Sequence, residues 1–371
     1  MKKFLFAFWT LAISCAYAQQ PYEWSTNTEG NFTYKYVKND PYKVRYYTLK
    51  NGFTVIMSIN KDEPRLQTMI ATKAGSNTDP ATHTGLAHYL EHMLFKGTDK
   101  YGSLDWSKEK PYLDQIDALY EQYNSTTDER NRTSIYANID SVSGIAAKYA
   151  IANEYDKLMS FIGAKGTNAF TSYEQTVYIN DIPSNQIDRW LTVEAERFRK
   201  PVFRLFHTEL EAVYEEKNRS LDNDDWKVNE VMMASLFPTH NYGQQTTIGT
   251  IEHLKNPSLL EIRKYFEKNY VPNNMCMILV GDFNPDSTIA MVDKKFGGFE
   301  AKEVTPYNPP KESEMTTPIE KTVIGPKDEW VTIGYRMPGA NTKEANLLQF
   351  TDRILANGTA GLLDIDLMQK Q

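Results

Sequence analysis

Residues 83–98 read His83-Thr84-Gly85-Leu86-Ala87-His88-Tyr89-Leu90-Glu91-His92-Met93-Leu94-Phe95-Lys96-Gly97-Thr98. From Thr84 to Phe95 the apolar residues Leu86, Leu90, Met93 and Leu94 recur at helical spacing, with Thr84 placed to cap the first turn. His88 and His92 then stand one turn apart on one face, where two imidazoles can share a cation, and Glu91 sits beside them. This is the inverted form of the His-Glu-x-x-His zinc pattern, in which a carboxylate next to a metal-bound water can take its proton. The flanking apolar residues bury this helix, and burying two imidazoles and a carboxylate without a metal or partner would be costly.

A catalytic zinc takes three protein ligands and leaves one place for water, so a third ligand must come from elsewhere. Residues from about 206 to 221 read as a helix that carries Glu209, Glu211, Glu215 and Glu216. With Glu209 at 0° and about 100° per residue, Leu205, Phe206, Leu210 and Val213 fall between about −40° and 100°. Glu209 thus points into the apolar face, and Glu216 lies on the same face near about −20°. Glu211 and Glu215, near about 200° and 240°, belong to the solvent side. The expectation is a zinc held by His88, His92 and Glu209, with Glu216 supporting the ligands from behind. His83, His207, His240 and His253 show no ligand spacing and read as surface or loop residues.

Working outward, residues 43 to 75 alternate apolar and polar about Asn51-Gly52, a dipeptide that accepts the positive φ of a tight hairpin. Further strands are expected at 166–179 and 274–283, and helices at 184–199 and 286–296. Together these make a catalytic domain over 25–300. Within it, residues 103–145 carry two helical stripes, Leu113, Ile116, Leu119, Tyr123 and Ile135, Ile139, Val142, read as a helical hairpin inserted at the surface with no chemistry of its own. Pro306, Pro309, Pro310 and Pro318 among charges mark a connector over 301–325. Residues 326–371, with a strand at Val331–Tyr335 and a helix at Lys343–Leu355, read as the start of a second, truncated domain.

The 371 residues carry 41 Lys and Arg against 48 Asp and Glu, a net charge of −7, with no basic surplus for nucleic acid. Lys2 and Lys3, the apolar run Phe4–Ala16 and the small-x-small triplet Ala16-Tyr17-Ala18 make residues 1–18 a signal peptide. The mature chain is then exported, periplasmic or extracellular, with no transmembrane segment. Lipid anchoring through Cys15 is the lesser alternative, because Ala12 stands where such signals usually carry Leu. Loss of Cys15 leaves Cys276 alone, so no internal disulfide is expected.

The stretch Gly85–Thr98, together with Asn168-Ala169-Phe170-Thr171-Ser172, Thr176, Tyr178, Glu194-Ala195-Glu196-Arg197 and Glu209-Leu210-Glu211-Ala212-Val213, resembles the pitrilysin or insulinase family of inverted-motif zinc peptidases, which includes mitochondrial processing peptidase. The resemblance covers roughly residues 43–371. It implies an α+β fold: a mainly antiparallel sheet flanked by helices, in tandem related domains that close like a clamshell. It implies one Zn2+ per chain on His88, His92 and Glu209, Glu91 as general base, and endopeptidase action on peptides or unfolded segments. Substrate would add as a strand beside residues 161–170, with Gly163, Ala164, Asn168 and Ala169 in contact. His92 and Glu209 lie 117 positions apart, against about 75 in the family pattern, an excess that matches the helical hairpin. The family also implies an opposing wall, supplied by a homo- or hetero-dimer partner or by a covalently linked second half. The alternative role is a non-catalytic peptide-binding or assembly subunit of the same fold.

Overall fold

The structure, a computed structural model, describes residues 22–370, so the signal peptide and Cys15 lie outside the described residues. Strands β1 (Trp24–Glu29), β2 (Phe32–Val37), β3 (Arg45–Thr48), β4 (Thr54–Ile59), β5 (Arg65–Thr72), β6 (Lys165–Thr171), β7 (Thr176–Pro183) and β8 (Met275–Gly281) form one 8-stranded sheet in the order β1-β2-β3-β4-β8-β5-β7-β6. Only β4 and β8 run parallel; the other neighbours pair antiparallel. The period of two is visible in β5, where Leu66, Thr68, Ile70 and Thr72 are buried and their neighbours less so. The late strand β8 occupies the middle of the sheet. At the β3–β4 hairpin Gly52 has φ +84°, and a Cβ there would come within 2.7 Å of Asn273 Cβ. Asn51 Nδ2 ties this turn to the carbonyls of Phe296 and Phe299, at 2.8 and 3.1 Å.

Among the described residues twelve α-helical segments occur, in chain order α1 (Leu86–Met93), α2 (Trp106–Ser125), α3 (Glu129–Ala146), α4 (Glu154–Phe161), α5 (Ile187–Arg199), α6 (Phe206–Leu221), α7 (Asp224–Leu236), α8 (Asn241–Gln244), α9 (Ile251–Lys255), α10 (Leu259–Asn269), α11 (Pro285–Phe296) and α12 (Lys343–Leu355). Helices α1, α5 and α11 lie against the sheet, and α6 packs on α1. Strands β1 and β2 and helices α7 to α10 extend the architecture expected from sequence.

The helical hairpin forms as α2 and α3, but it is not a surface appendage. Leu113, Ile116, Tyr120, Ile135, Ile139 and Val142 are buried in the same apolar cluster as Leu90 and Phe206. Arg204, just before α6, meets Glu109 of α2 in a fully buried ion pair, Nε–Oε1 3.0 Å and Nη2–Oε2 3.2 Å. The same guanidinium donates to the carbonyls of Lys96, Thr98 and Tyr101 at 2.6, 2.7 and 3.3 Å. A buried charge survives only when its hydrogen bonds are complete, and here they join the hairpin to the segments that follow α1 and precede α6.

Beyond α11 the helix α12 forms at the expected residues, but Val331–Tyr335 forms no strand. A strand exists by pairing, and among the described residues this stretch has no strand beside it; Val331, Ile333 and Tyr335 are exposed. The adjoining residues are tied to α7 instead, through Lys327 N to Asp224 Oδ2 at 3.1 Å and Arg336 Nη1 to the Leu236 carbonyl at 2.6 Å.

Candidate metal centre

Helix α1 starts at Gly85, with φ +89°, where a Cβ would collide with the Ile248 carbonyl at 2.7 Å. Thr84 is therefore not its cap. The buried carboxylate of Asp79 takes that role from six residues upstream: Oδ2 accepts from Gly85 N at 2.7 Å and Oδ1 from Ala87 N at 2.9 Å. Burial pushes the Asp79 carboxyl up to about 8 while the backbone N–H groups of Ala87, Gly85 and Leu86 pull it down. Thr84 is held by His253 instead, whose Nδ1 accepts from Thr84 N at 3.1 Å and lies 2.8 Å from its hydroxyl. Leu86, Leu90 and Met93 face the core, which turns His88 and His92 together toward α6.

Helix α6 begins at Leu205, a non-glycine residue at φ +57°, fixed between Arg204 and the buried Phe206. Tyr89 Oη of α1 donates to the Phe206 carbonyl at 2.7 Å, and Tyr120 Oη of α2 lies 3.0 Å from His207 Nδ1. His207 and His253 are thus bonded struts rather than idle surface residues. The crossing brings Glu216 Oε2 to 3.7 Å from His88 Nε2 and 3.8 Å from His92 Nε2. One ligand atom from each of the three residues lies within 4.8 Å of the others.

This exchanges the two glutamates relative to the sequence expectation. Glu209 faces the other nitrogen of His92, with Oε2 3.3 Å from Nδ1, and its Oε1 is paired with Lys96 Nζ. The helical wheel put both residues on one face correctly. It gave no height along the axis, and two turns separate Glu209, beside His92 Nδ1, from Glu216, beside both Nε2 atoms.

The donor set suits zinc. Ligand atoms around a tetrahedral zinc with bonds of about 2.1 Å lie about 3.4 Å apart; Glu216 stands a few tenths wider than that, at 3.7 and 3.8 Å from the two Nε2 atoms, with all three donors within 4.8 Å of one another. Burial, reinforced by the neighbouring His92, pushes His88 down to about 3, so its imidazole is neutral with a lone pair to give. Burial also opposes charge on His92, but the Glu209 bond and the carboxylates of Glu91, Glu209 and Glu216 carry its pKa above the usual value. Burial raises Glu209 as well, yet His92 and Lys96 hold it below the ordinary carboxylate range, an anion fixed on Nδ1. Such a partner leaves Nε2 as the free donor. The side chain of Glu216 is 51% exposed, so the three donors open toward solvent on one side.

Glu91 is buried, and its pKa is raised by that burial with help from Glu216, against the bond from Thr171 and the charge of His92. Thr171 Oγ1 donates to Glu91 Oε2 at 2.6 Å. Thr171 closes β6, the edge strand of the sheet. Ser172 N donates to the Gln175 carbonyl at 2.8 Å, which fixes the alternation of the β6–β7 ladder. Thr171 and Ala169, opposite Thr176 and Tyr178, are then non-hydrogen-bonded pairs whose backbone groups face the open edge. Asn168 turns its backbone to β7 and offers only its exposed side-chain amide.

Gly163 and Ala164 do not belong to this edge. Gly163 N donates to the Ser160 carbonyl at 3.0 Å and Ala164 N to the Met159 carbonyl at 2.9 Å, closing α4. The Gly163 carbonyl accepts from Arg65 Nη2 at 3.1 Å, so these two residues have no free N–H to offer a peptide.

The sequence reading gave no role to Lys96 and Thr171, which it quoted only as motif residues, and passed over Asp79. Lys96 lies four residues after His92, one helical turn on, and was legible as its neighbour. The other two act across tertiary contacts that no spacing announces.

The family model described as Insulinase (Peptidase family M16) matches residues 55–143 and 142–249, and that described as Peptidase M16 inactive domain matches residues 258–370. Zinc protease PqqE of Helicobacter pylori is 24% identical over 333 residues, which cover 87% of this chain and 63% of that protein. The human insulin-degrading enzyme is 25% identical over 301 residues, 78% of this chain and 25% of that enzyme. Among solved structures, a protease from Helicobacter pylori superposes with TM-score 0.53 at 24% identity, over 72% of this chain and 55% of that one. The periplasmic protease PqqL from Escherichia coli does so with TM-score 0.55 at 17% identity, over 74% and 26%. The chain thus spans 63% of the first relative and 25% of the second.

Proposed function

Because this chain belongs to the insulinase family, peptidase family M16, we propose that it is the metal-bearing part of a zinc endopeptidase acting on peptides or unfolded polypeptide segments. The observation that carries this is the approach of Glu216 to the Nε2 atoms of both His88 and His92, with Glu91 beside them on the same helix. His88, His92 and Glu216 would hold one zinc ion, and Glu209 would orient His92 from behind. When bound, the ion supplies a Lewis acid that acidifies water and polarises a carbonyl. Glu91 takes one proton from the attacking water as the water oxygen bonds the scissile carbonyl carbon. The same carboxyl then returns a proton to the amide nitrogen as the C–N bond breaks. A substrate strand added to β6 would bond the backbone groups of Ala169 and Thr171, with the Asn168 amide alongside.

Export to the periplasm or cell exterior accords with the leader-like residues 1–18 and with the periplasmic description of the Escherichia coli neighbour. Among the described residues no helix is long and apolar enough to cross a membrane. An opposing wall from a linked or separate second half would complete the substrate chamber.

Glu91→Gln tests the reading. It removes the proton acceptor but no ligand, so zinc content and peptide binding should persist while cleavage falls about 100-fold or more. Cleavage near the wild-type rate would remove Glu91 from the mechanism, and no cleavage by the zinc-loaded wild type would favour a peptide-binding subunit.

A further inference from the structure

We propose that Thr171 is the positioning residue for Glu91, and that it couples the docking of a peptide on strand β6 to the placement of the general base. The proposal rests on the peptidase reading above and adds a residue to it.

Thr171 does two things at once. Its hydroxyl donates to Glu91 Oε2 at 2.6 Å, the one side-chain hydrogen bond that this carboxylate makes among the described residues. Its backbone N–H and C=O face the open edge of the sheet, as those of Ala169 do, because both residues sit at non-hydrogen-bonded positions of the β6–β7 ladder. A peptide that pairs with β6 therefore bonds the same residue that grips the base.

The grip fixes a geometry. Glu91 is buried, and with Oε2 engaged the carboxylate turns its other oxygen, Oε1, away from Thr171, free of hydrogen bonds among the described residues. A general base must hold its free oxygen within hydrogen-bond reach of the water it deprotonates. Without the threonine bond, the carboxylate can rotate about its side-chain torsions.

The threonine itself is held from the far side. Its Oγ1 lies 3.3 Å from Thr176 Oγ1, and Thr176 Oγ1 donates to the Ala74 carbonyl at 3.0 Å, inside the sheet. Ser172 and Gln175 close the hairpin just beyond it. Strand addition at Ala169 and Thr171 would remove the remaining freedom of this end of β6, which a free edge otherwise keeps. The base is thus best ordered when substrate is bound.

The test compares Thr171→Val, which keeps the shape and β-branching but removes the hydroxyl, with Thr171→Ser, which keeps the hydroxyl, and with Glu91→Gln. Each is made in the full-length zinc-loaded protein and assayed on a quenched fluorescent unstructured peptide, with zinc content measured in parallel. Thr171→Val should retain one zinc per chain and a KM within about twofold, while kcat falls about tenfold, the scale of one hydrogen bond to a charged group. Thr171→Ser should keep kcat within about threefold of wild type, because it preserves that hydrogen bond. Equal losses in the valine and serine variants would make the residue a packing element and overturn the proposal. So would a wild-type kcat in Thr171→Val while Glu91→Gln is inactive, an outcome that leaves the peptidase reading standing. Wild-type cleavage by Glu91→Gln would remove Glu91 as the base and the positioning role with it, whereas no cleavage by the zinc-loaded wild type would overturn the peptidase reading on which the proposal rests.

Discussion

Glu209 and Glu216 share a helix face, and the geometry gives them different work, so the pair of variants Glu209→Gln and Glu216→Gln separates the two assignments. In the first, the glutamine carbonyl can still accept from His92 Nδ1, but the charge that Lys96 neutralises is gone. Loss of a partner standing behind a histidine ligand costs 10- to 100-fold in metal affinity, and the retained acceptor places Glu209→Gln near about tenfold. In the second, the sole anionic donor beside the two Nε2 atoms becomes neutral, at 3.7 and 3.8 Å from them. As a direct donor rather than a support behind one, its loss should exceed the range of a supporting partner, at about 100-fold or more in affinity. Glu211→Gln, on the exposed face of α6, should change nothing beyond about twofold. Competition of the apo-protein against a chromophoric zinc chelator at fixed pH reads all three. A greater loss in Glu209→Gln than in Glu216→Gln would refute the geometry and restore Glu209 as the third ligand.

Further outcomes follow from the scaffold. Glu109→Ala strands Arg204 in a site where both side chains are buried, and should destabilise the protein by about 3–5 kcal/mol in urea unfolding; a change below about 1 kcal/mol would make the hairpin the surface appendage the sequence suggested. Asp79→Ala orphans the N–H groups of Gly85 and Ala87, and should cost about 2 kcal/mol with a parallel loss of zinc affinity; an unchanged melting curve would show that water replaces the carboxylate. The 371-residue chain should bind zinc stoichiometrically yet cleave peptide more slowly than the same chain joined to a second half, because positioning alone can supply several kcal/mol of the barrier. Equal turnover with and without that half would make the opposing wall dispensable.

Much of the site was legible because its chemistry is local. His88, Glu91 and His92 need only one turn of helix, and the apolar stripe of Leu86, Leu90 and Met93 orients them without help from the rest of the chain. Strands β3 to β5 were legible through alternation and through Asn51-Gly52, whose turn demands positive φ. The wheel of α6 found the face that Glu209 and Glu216 share but not which of them meets both Nε2 atoms, since angular position says nothing about where a second helix crosses the first. Thr84 looked like a cap by spacing, and lost to Asp79, whose approach depends on a loop path. Gly163 and Ala164 looked like edge residues, but the two N–H groups had already closed α4. The hairpin's burial was hidden for the same reason: each stripe was visible, but Arg204 and Glu109, 95 positions apart, had no periodic relation to reveal their pairing.

The placement of Arg204 explains how a candidate metal site divided between α1 and α6 holds its shape across the long connection that separates them. The guanidinium binds carbonyls of Lys96, Thr98 and Tyr101 after α1, sits immediately before the strained Leu205 that begins α6, and is neutralised by Glu109 from α2. Tyr89 adds a second tie between the helices through the Phe206 carbonyl, and Tyr120 ties α2 to α6 through His207. With the helix ends fixed in this way, the three donor atoms can face one another while Glu216 stays half exposed, leaving an open side for water and a peptide carbonyl. The added hairpin therefore increases the number of contacts that determine the α1–α6 crossing, which is the quantity on which the separation of His88, His92 and Glu216 depends.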